Sequence, residues 1–400
     1  MKPVWRAISL AAGVAGATLL GTAVGIAARR SLRAQRRHPI AEEPPAREFT
    51  VSADDGVPLS VEEIAPTDGG SPDLTVVLVH GYTLDRRSWI FQRESLPRLA
   101  DPRVRLVRYD QRGHGRSGRS TRAHSTLDQL GRDLDAVLRV VAPDEPVVLV
   151  GHSMGGMTIM ALAEHRPELF GDPSRGTAGT LPRAPARATS LEAQARNQPR
   201  TIGAAPVLGV ALVGTSAGEI GRRGLPRPVL SRYNPFTLGL AKLTGWQPGL
   251  VERAHRMTGH LTWGAVRALS FGDRKIDPER VDLVHQMIEG TSVQAISDFL
   301  ATLATHHRYR ALAALRRCEV LVIGGDADQI TTFSHSEAIA AELPDSQLVR
   351  VPGAGHMVAM ERPELVDGYL AAFLTRCAAA NRQPREWRAD DDTGSTERGA

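Results

Sequence analysis

Short apolar runs, each ending at a glycine or a polar residue, recur along much of the chain. Continuous apolar runs of about five residues are typical of strands that are buried on both faces of a parallel sheet. We therefore predict five core strands, at residues 74–79, 104–109, 147–150, 319–323 and 347–351.

Segments with helical periodicity separate these runs. Residues 126–141 place leucine and valine at the spacing of one helix face, and residues 156–165 and 361–376 are also predicted to be helical. Strands that alternate with helices predict an α/β fold, with a mostly parallel central sheet flanked by helices. We assign residues 49–170 and 311–380 to the two parts of this core.

The interval 171–310 lacks this alternation. It opens with a stretch rich in glycine, proline, arginine and alanine at 171–206. Helix-like segments follow at 207–220, 236–244, 249–271 and 278–305. Helices inserted between two strands of a sheet predict a helical cap over the whole interval.

The N-terminal region carries a candidate membrane anchor. Residues 7–28 form an uncharged apolar run that is long enough to cross a hydrocarbon core of about 30 Å. Arginines are denser after this run than before it, which favours a retained single-pass anchor in the cell membrane with the rest of the chain in the cytoplasm. A cleaved signal peptide, giving a secreted or outward-facing protein, is the alternative. Gly21 and Gly25 form a GxxxG pair through which two such helices could pack.

Composition and charge limit the remaining choices. Of the 400 residues, 42% are hydrophobic, which is enough for a sizeable core, and the formal net charge is +5. The basic residues are spread along the chain and form no zinc-finger or RNA-binding motif, so we expect no nucleic-acid partner. We assign residues 1–30 to the anchor, 31–48 to a polar linker and 381–400 to a disordered tail.

The two cysteines, Cys318 and Cys377, lie outside any CxxC pair. They predict neither a disulfide framework nor a thiolate metal site. His306 and His307 are adjacent, so they lack the spacing of two metal ligands on one helix face. The sequence also has no Walker loop and no dinucleotide fingerprint after a strand. We therefore expect no metal and no cofactor.

The strongest chemical signal is GHSMG at residues 151–155. It follows an apolar run and precedes a helix rich in small residues, which is the context of a nucleophile elbow. The serine of such an elbow sits on a strained turn, where glycines leave room for close approach of the backbone. The helix that follows directs its first N–H groups at the reacting carbonyl oxygen. We predict that Ser153 is a nucleophile.

Other motifs accompany this one in a fixed order: HGY at 80–82, YDQRGHGRS at 109–117, GHSMGG at 151–156, GGDADQIT at 324–331 and GAGH at 353–356. In this combination residues 49–377 resemble the α/β-hydrolase family, in particular its capped serine esterases and lipases. The resemblance implies the fold of that family and a catalytic triad of serine, acid and histidine.

The resemblance also assigns the partners of the nucleophile. His356 is the expected general base, since a late histidine completes the chain order serine, acid, histidine. The acid is Asp326 or Asp328; the register of the motif favours Asp328, and Asp326 would then shape the turn. Thr332 stands where the family often has proline, which loosens the argument from the loop without removing a catalytic group.

Two backbone N–H groups are the expected oxyanion hole. One belongs to Met154, the residue after the nucleophile, and the other to Tyr82, at the end of the first core strand. Preformed donors of this kind stabilise the negative charge that develops on the carbonyl oxygen. We interpret His80 as a side chain that organises this loop. We interpret three residues of the second motif, Asp110, Arg112 and His114, as structural and place Ser117 near the pocket.

These assignments predict a serine hydrolase that cleaves carboxylic esters through an acyl-enzyme. The long cap and the candidate anchor favour a hydrophobic or lipid-like small-molecule ester as substrate. Haloalkane dehalogenases and epoxide hydrolases of this fold use an aspartate at the nucleophile position, so a serine counts against both. Three alternatives stay open: an acyltransferase or perhydrolase with the same triad, a ligand-binding protein on the same scaffold, and a membrane scaffold that assembles through its anchor.

Overall fold

A mixed sheet runs through the centre of the protein. The computed structural model describes residues 46–143, 145–171, 207–220 and 259–382, apart from the side chains of 259–262 and 382. In these residues the sheet has eight strands: β1 (Ala46–Ser52), β2 (Pro58–Ile64), β3 (Leu74–Val79), β4 (Val104–Tyr109), β5 (Val147–His152), β6 (Val207–Val213), β7 (Glu319–Gly325) and β8 (Gln347–Val351).

The order of the strands places β5 in the middle of the sheet. Neighbouring strands follow the order β1-β2-β4-β3-β5-β6-β7-β8. Strand β2 is antiparallel to β1 and β4, and every other pair is parallel. The carboxyl end of β5 therefore lies between those of β3 and β6, at the edge of an open parallel sheet where ligands bind. The predicted mostly parallel sheet is confirmed.

All five predicted core strands are present, but the prediction was wrong for 207–220. Residues Val207–Val213 are strand β6 and not a helix. The sequence VLGVALV is a short continuous apolar run, and periodicity cannot separate a buried helix from a buried strand over such a length. Gly209 lets the strand pack closely, since a Cβ there would lie 2.4 Å from the Sγ of Cys377.

Helices surround the sheet. Those of the described residues are α1 (Ile90–Ser95), α2 (Leu127–Val141), α3 (Met154–His165), α4 (Gly259–Ser270), α5 (Pro278–Gly290), α6 (Val293–Ala304), α7 (Leu312–Leu315), α8 (Phe333–Glu342), α9 (Val358–Glu361) and α10 (Pro363–Arg382). The sequence predicted α2, α3 and α10 within a few residues. Thr126 caps α2 by accepting a hydrogen bond from the Gln129 N–H group at 3.1 Å.

Each face of the sheet has its own apolar core. On β3 the side chains of Val77 and Val79 join the core that contains α2 and α3. Those of Val76 and Leu78 join the core that contains α9 and α10. This alternation follows from the two-residue period of a strand. It explains why the central strands read as continuous apolar runs.

Helices α4, α5 and α6 follow the core strand β6 in the chain and precede β7. The predicted helical segments 249–271 and 278–305 are therefore confirmed where they are described. The predicted cap interval 171–310 is corrected, because it contains β6 and a core strand cannot belong to a cap. The predicted segment 236–244 lies outside the described residues.

The anchor predicted at 7–28 and the tail predicted at 381–400 lie outside the described residues, except for the end of α10. In the part of the chain that the structure describes, no helix has both the length and the apolar character to cross a membrane.

Candidate active site

Ser153 lies between the end of β5 and the start of α3. Its backbone has φ 52° and ψ −118°, and the residue is 7% exposed. A positive φ is uncommon for a residue other than glycine and marks a strained conformation that its surroundings must hold. The predicted nucleophile therefore occupies the strained strand-to-helix turn that the sequence indicated.

The glycines of the motif allow this turn to form. A Cβ at Gly155 would lie 2.1 Å from the carbonyl oxygen of Val79, and a Cβ at Gly151 would lie 2.6 Å from the carbonyl carbon of Gly155. Atoms cannot approach this closely, so a side chain at either position would push α3 away from the sheet. The close contact brings the first turn of α3 against the end of β3.

Hydrogen bonds to β6 and the residues after it hold the turn. The N–H group of Ser153 donates to the carbonyl oxygen of Val213 at 3.0 Å. The hydroxyl group of Thr215 donates to the carbonyl oxygen of Ser153 at 2.7 Å. Sequence reasoning missed Thr215, because its segment was assigned to a helix.

A buried carboxylate and an imidazole form the second part of the site. Asp328 Oδ2 lies 2.9 Å from His356 Nδ1. Asp328 Oδ1 accepts hydrogen bonds from the N–H groups of Ile330 at 2.7 Å and Thr331 at 2.9 Å. Burial alone would raise the pKa of Asp328, but the imidazole of His356 and these donors outweigh it and hold the pKa below its ordinary value. The carboxylate is therefore ionised at neutral pH.

The two candidate acids have different surroundings. Asp326 Oδ1 accepts a hydrogen bond from the N–H group of Gly353 at 2.6 Å, which shapes the loop before His356. Asp328 reaches the imidazole itself. Thr331, which the sequence reasoning missed, donates from Oγ1 to Asp328 Oδ2 at 2.9 Å, and the same oxygen lies 3.2 Å from His356 Nδ1.

His152 joins the serine turn to the loop that carries His356. Its Nε2 atom lies 3.0 Å from the carbonyl oxygen of His356, and the two rings are 4.8 Å apart between centroids. The carbonyl can only accept, so Nε2 of His152 donates. Burial lowers the pKa of His152 to about 3, and this side chain is therefore neutral at ordinary pH.

The loop after β3 lies beside the serine. A Cβ at Gly81 would be 3.2 Å from the Cβ of Ser153, which places the neighbouring residue Tyr82 next to the turn. The hydroxyl group of Tyr82 donates to the carbonyl oxygen of Ile296 in α6 at 2.5 Å. Thr83 has φ 61°, a strained value for a β-branched residue. Met154, the other predicted oxyanion residue, is fully buried at the start of α3.

His80 has the contacts of a structural residue. Its Nε2 atom accepts a hydrogen bond from the Gln111 N–H group at 2.9 Å, and Nδ1 lies 2.8 Å from the carbonyl oxygen of Gly81. Burial lowers the pKa of His80 to about 4, so the neutral ring makes both bonds. The ring ties the loop after β3 to the loop after β4, as the sequence interpretation expected.

The residues after β4 build a turn. Asp110 accepts hydrogen bonds from the N–H groups of Arg86 at 2.8 Å and Arg116 at 2.9 Å. The hydroxyl group of Ser117 donates to the carbonyl oxygen of Asp110 and accepts from the Ser60 N–H group at 2.9 Å. The sequence predicts Ser117 near the pocket, but these bonds give it a role in holding the turn to β2.

Arg112 and His114 are also structural in their contacts. Arg112 is fully buried and forms ion pairs with Asp133 at 2.5 Å and Asp55 at 2.8 Å. His114 Nδ1 lies 2.9 Å from the carbonyl oxygen of Arg112, and burial lowers the pKa of His114 to about 3.

Two apolar clusters flank the turn. The first, which we call the α6 cluster, joins Tyr82 and the residue after the serine to α2 and α6; its buried members are Leu127, Leu130, Met154, Met157, Ile220, Phe299 and Leu303. The second, the α5 cluster, joins the residue after the candidate base to α4 and α5; its buried members are Leu84, Val266, Phe271, Ile276, Val281, Val284, Met287, Met357 and Met360. Among the described residues, no group of three or more histidine, cysteine or acidic side chains could hold a metal ion.

The fold and this geometry define a class of protein. The model of the alpha/beta hydrolase family matches residues 76–367, and the chain belongs to that family. The enol-lactonase from Burkholderia xenovorans LB400 is similar over 82% of this chain and 100% of its own, with 19% identity and a TM-score of 0.56. An esterase from Thermogutta terrifontis is similar over 83% of this chain and 99% of its own, with 22% identity and a TM-score of 0.56. At these identities the structures show the fold alone.

Curated relatives carry several different names. The chain is 25% identical to the dihydrolipoyllysine-residue acetyltransferase component of the acetoin cleaving system from Pseudomonas putida, over 77% of this chain and 65% of that protein. It is 37% identical over 111 residues to a probable oxidoreductase, EphD, of Mycobacterium tuberculosis, of which it covers 17%. It is 25% identical to epoxide hydrolase A of Mycobacterium tuberculosis, over 80% of this chain and 95% of that protein. The chain thus spans less than two thirds of the length of the first two relatives.

Proposed function

We propose that the protein is a serine hydrolase that cleaves carboxylic esters through an acyl-enzyme on Ser153. Two features at the carboxyl edge of the parallel strands support this proposal. Ser153 is held on a strained turn at the end of β5. The buried Asp328–His356 pair, with 2.9 Å between Oδ2 and Nδ1, leaves Nε2 of His356 to act as the base.

The reaction has two steps. In the first, His356 Nε2 takes the proton of the Ser153 hydroxyl group while Oγ forms a bond to the ester carbonyl carbon. The bond from that carbon to the alkoxy oxygen then breaks, and the alcohol leaves with the proton from His356. In the second step, His356 takes a proton from water, the water oxygen attacks the acyl carbon, and Ser153 leaves with that proton. The products are one alcohol and one carboxylic acid.

The N–H groups of Met154 and Tyr82 are the proposed oxyanion hole. Tyr82 follows Gly81, where a Cβ would lie 3.2 Å from the Cβ of Ser153. Met154 is the first residue of α3, where the helix dipole favours negative charge. By analogy with measured donors, each would contribute about 3–4 kcal/mol of transition-state stabilisation. Asp328, ionised and buried, would stabilise the imidazolium ion that forms on His356.

The proposed substrates are hydrophobic or lipid-like esters. The α6 cluster includes Met154, next to the serine, and the α5 cluster includes Met357, next to the base, so apolar side chains border both residues. Apolar walls with a few placed polar groups are typical of small-molecule sites. Rates with p-nitrophenyl esters from acetyl to palmitoyl would test this. A clear preference for acetyl esters, with natural lipids untouched, would contradict it.

An acyltransferase is the second candidate, because a relative covering 77% of this chain is named an acetyltransferase component. The same serine, acid and base would form the acyl-enzyme, and an alcohol or a peroxide would replace water as acceptor. Product analysis with added alcohol or hydrogen peroxide separates the two. Acyl transfer that outruns hydrolysis at low acceptor concentration would favour this candidate.

We also propose that residues 7–28 tether the protein to a membrane, with the folded region on the cytoplasmic side. The support is the length of the apolar run and the arginines that follow it. Flotation of the full chain with vesicles, compared with a chain that begins at residue 40, would test the tether. Equal recovery of both in the unbound fraction would refute it.

The decisive test of the hydrolase is the variant Ser153→Ala. We expect turnover of p-nitrophenyl esters to fall by about 10⁴-fold or more, since the nucleophile is lost. Labelling by a fluorophosphonate probe should disappear with it. Ser120→Ala, which changes a serine outside the site, is the control and should keep both signals. Wild-type protein that is folded but shows neither turnover nor labelling would refute the proposal and favour a binding protein.

A further inference from the structure

Glu361 is a buried carboxylate that the proposed chemistry does not use. It ends α9, and the residue is 2% exposed. Its two oxygens accept three backbone hydrogen bonds: Oε1 from the Asp273 N–H group at 2.6 Å, and Oε2 from Gly272 at 3.1 Å and Gly355 at 2.7 Å. A buried charge needs such donors, because leaving it without them is costly.

These donors come from two segments that are distant in the chain. Gly272 and Asp273 follow α4 and lead toward α5. Gly355 immediately precedes the proposed base, His356. One carboxylate therefore joins the segment between α4 and α5 to the loop that carries the base.

The two segments are also in direct backbone contact. The Met357 N–H group donates to the carbonyl oxygen of Ser270 at 2.8 Å. A Cβ at Gly355 would lie 2.5 Å from the nitrogen of Gly272, and a Cβ at Gly272 would lie 2.4 Å from the carbonyl oxygen of Gly353. The glycines permit an approach that no side chain would allow, and the carboxylate holds it.

Two cations reinforce the junction from its outer side. Arg280 of α5 donates from Nη1 to the carbonyl oxygen of Met360 at 2.8 Å. Arg362 pairs with Asp273 at 3.2 Å. The end of α4, the start of α5 and the loop that carries His356 thus form one connected unit.

We propose that Glu361 is a positioning residue, which fixes the loop carrying His356 by binding it to the segment between α4 and α5. The inference rests on the proposed function, because it concerns the base of that reaction. Its consequence is that a shift of α4 and α5 would also move the imidazole. A proton acceptor must be held within about 0.5 Å of its working position, so a small shift of this loop slows the reaction.

The test compares Glu361→Gln with wild type at a temperature where both are folded. Glutamine has nearly the same shape, but its amide group presents N–H donors where N–H groups already point. We expect kcat for a p-nitrophenyl ester to fall by about 10- to 100-fold with KM changed less than about threefold, because the base is displaced and the acyl pocket is not. Glu361→Asp, which keeps the charge, should recover part of the loss.

Glu62→Gln is the matched control. Glu62 is 5% exposed and pairs with Arg93 and Arg108, which joins β2 to α1 and β4. This substitution should lower the free energy of unfolding without lowering kcat. A Glu361→Gln enzyme whose kcat matches that of wild type, or which falls only as far as Glu62→Gln does, would overturn the proposal.

A second variant and a second readout keep the result clear. Gly355→Ala would force the loop from the segment after α4 and should lower kcat in the same way. The proton on Nδ1 of His356, followed by NMR and assigned with His356→Gln, should shift or broaden in Glu361→Gln even if no ester is turned over. An unchanged Nδ1 resonance would refute the positioning role, whereas a wild-type protein without turnover would refute only the proposed function.

Discussion

Three histidines around the proposed site are held neutral by burial. Burial lowers the pKa of His80 to about 4 and that of His114 and His152 to about 3. In the unfolded chain each has an ordinary pKa of about 6.5. As the pH falls below that value, these histidines bind protons in the unfolded state but stay neutral in the folded state. The stabilisation is therefore fully present above about pH 6.5 and is lost progressively toward the folded pKa values.

We expect the free energy of unfolding in urea to decline steeply between about pH 6.5 and pH 4. The variant His114→Gln removes one of the three titrations and should have a shallower decline. The two proteins are compared by urea unfolding at matched ionic strength. If the free energy of unfolding declined equally with pH in both proteins, His114 would be protonated in the folded state, which would contradict the effect of its burial.

The hydroxyl group of Tyr82 has a role apart from the N–H group of the same residue. It donates to Ile296 of α6 at 2.5 Å and holds the loop after β3. Tyr82→Phe keeps the N–H group and the ring, so we expect kcat to fall by about fivefold, the value of one ordinary hydrogen bond. Steady-state kinetics with one p-nitrophenyl ester would measure it.

Tyr109→Phe is the control for this substitution. The hydroxyl group of Tyr109 is buried and lacks a hydrogen-bond partner among the described atoms, so its removal should leave kcat unchanged and stability equal or higher. A loss of kcat as large in Tyr109→Phe as in Tyr82→Phe would mean that the tether to α6 is not the cause.

At the scale of single residues, local motifs made part of the site predictable. Ser153 stands in a strand–turn–helix pattern that the sequence displays within ten residues. Thr215, Thr331 and Glu361 carry no such pattern, because their roles depend on partners far along the chain. Glu361 accepts a hydrogen bond from the Gly272 N–H group, and no spacing in the sequence predicts that contact.

At the scale of elements, glycines in two helices have opposite roles. Gly155 in α3 lies against the backbone of β3, where a Cβ would be 2.1 Å from the oxygen of Val79. Gly368 in α10 is exposed, and a Cβ there would meet nothing within 4 Å. The first position requires glycine for packing. At the second position glycine only costs conformational entropy on folding.

We therefore expect opposite results from the same substitution. Gly155→Ala should lower the free energy of unfolding by about 1–3 kcal/mol and reduce turnover, because α3 moves from the sheet. Gly368→Ala should raise it by about 0.5–1 kcal/mol and leave turnover unchanged. Urea unfolding and ester hydrolysis would measure both. Stabilisation by Gly155→Ala would contradict the close contact with β3.

Burial explains which strands the sequence predicted. The residues of β3 are all buried, and the run LTVVLV displays this directly. In β1 exposed and buried positions are mixed and five of the seven residues are exposed, so the strand has no apolar run. Strand β6 is also an apolar run, but periodicity does not separate a strand from a buried helix over seven residues, and its place after a glycine-rich stretch favoured a helix of the cap.

At the scale of the whole molecule, the order of the strands was not predictable from periodicity. The sequence indicated parallel strands and helices between them. It did not show that β6 enters beside β5, because that pairing joins segments on either side of residues 172–206. The neighbours of Ser153 are thus decided by topology, and its hydrogen bond to Val213 is one result.

The place of the serine amide in the middle of the sheet has a consequence for hydrogen exchange. The N–H group of Ser153 bonds to Val213, between strands that pair on both sides. Such an amide can exchange with solvent deuterium only when the sheet opens as a whole. We expect its exchange free energy to equal that of global unfolding and to share its dependence on urea. The proposed nucleophile would then keep its position for as long as the sheet stays folded.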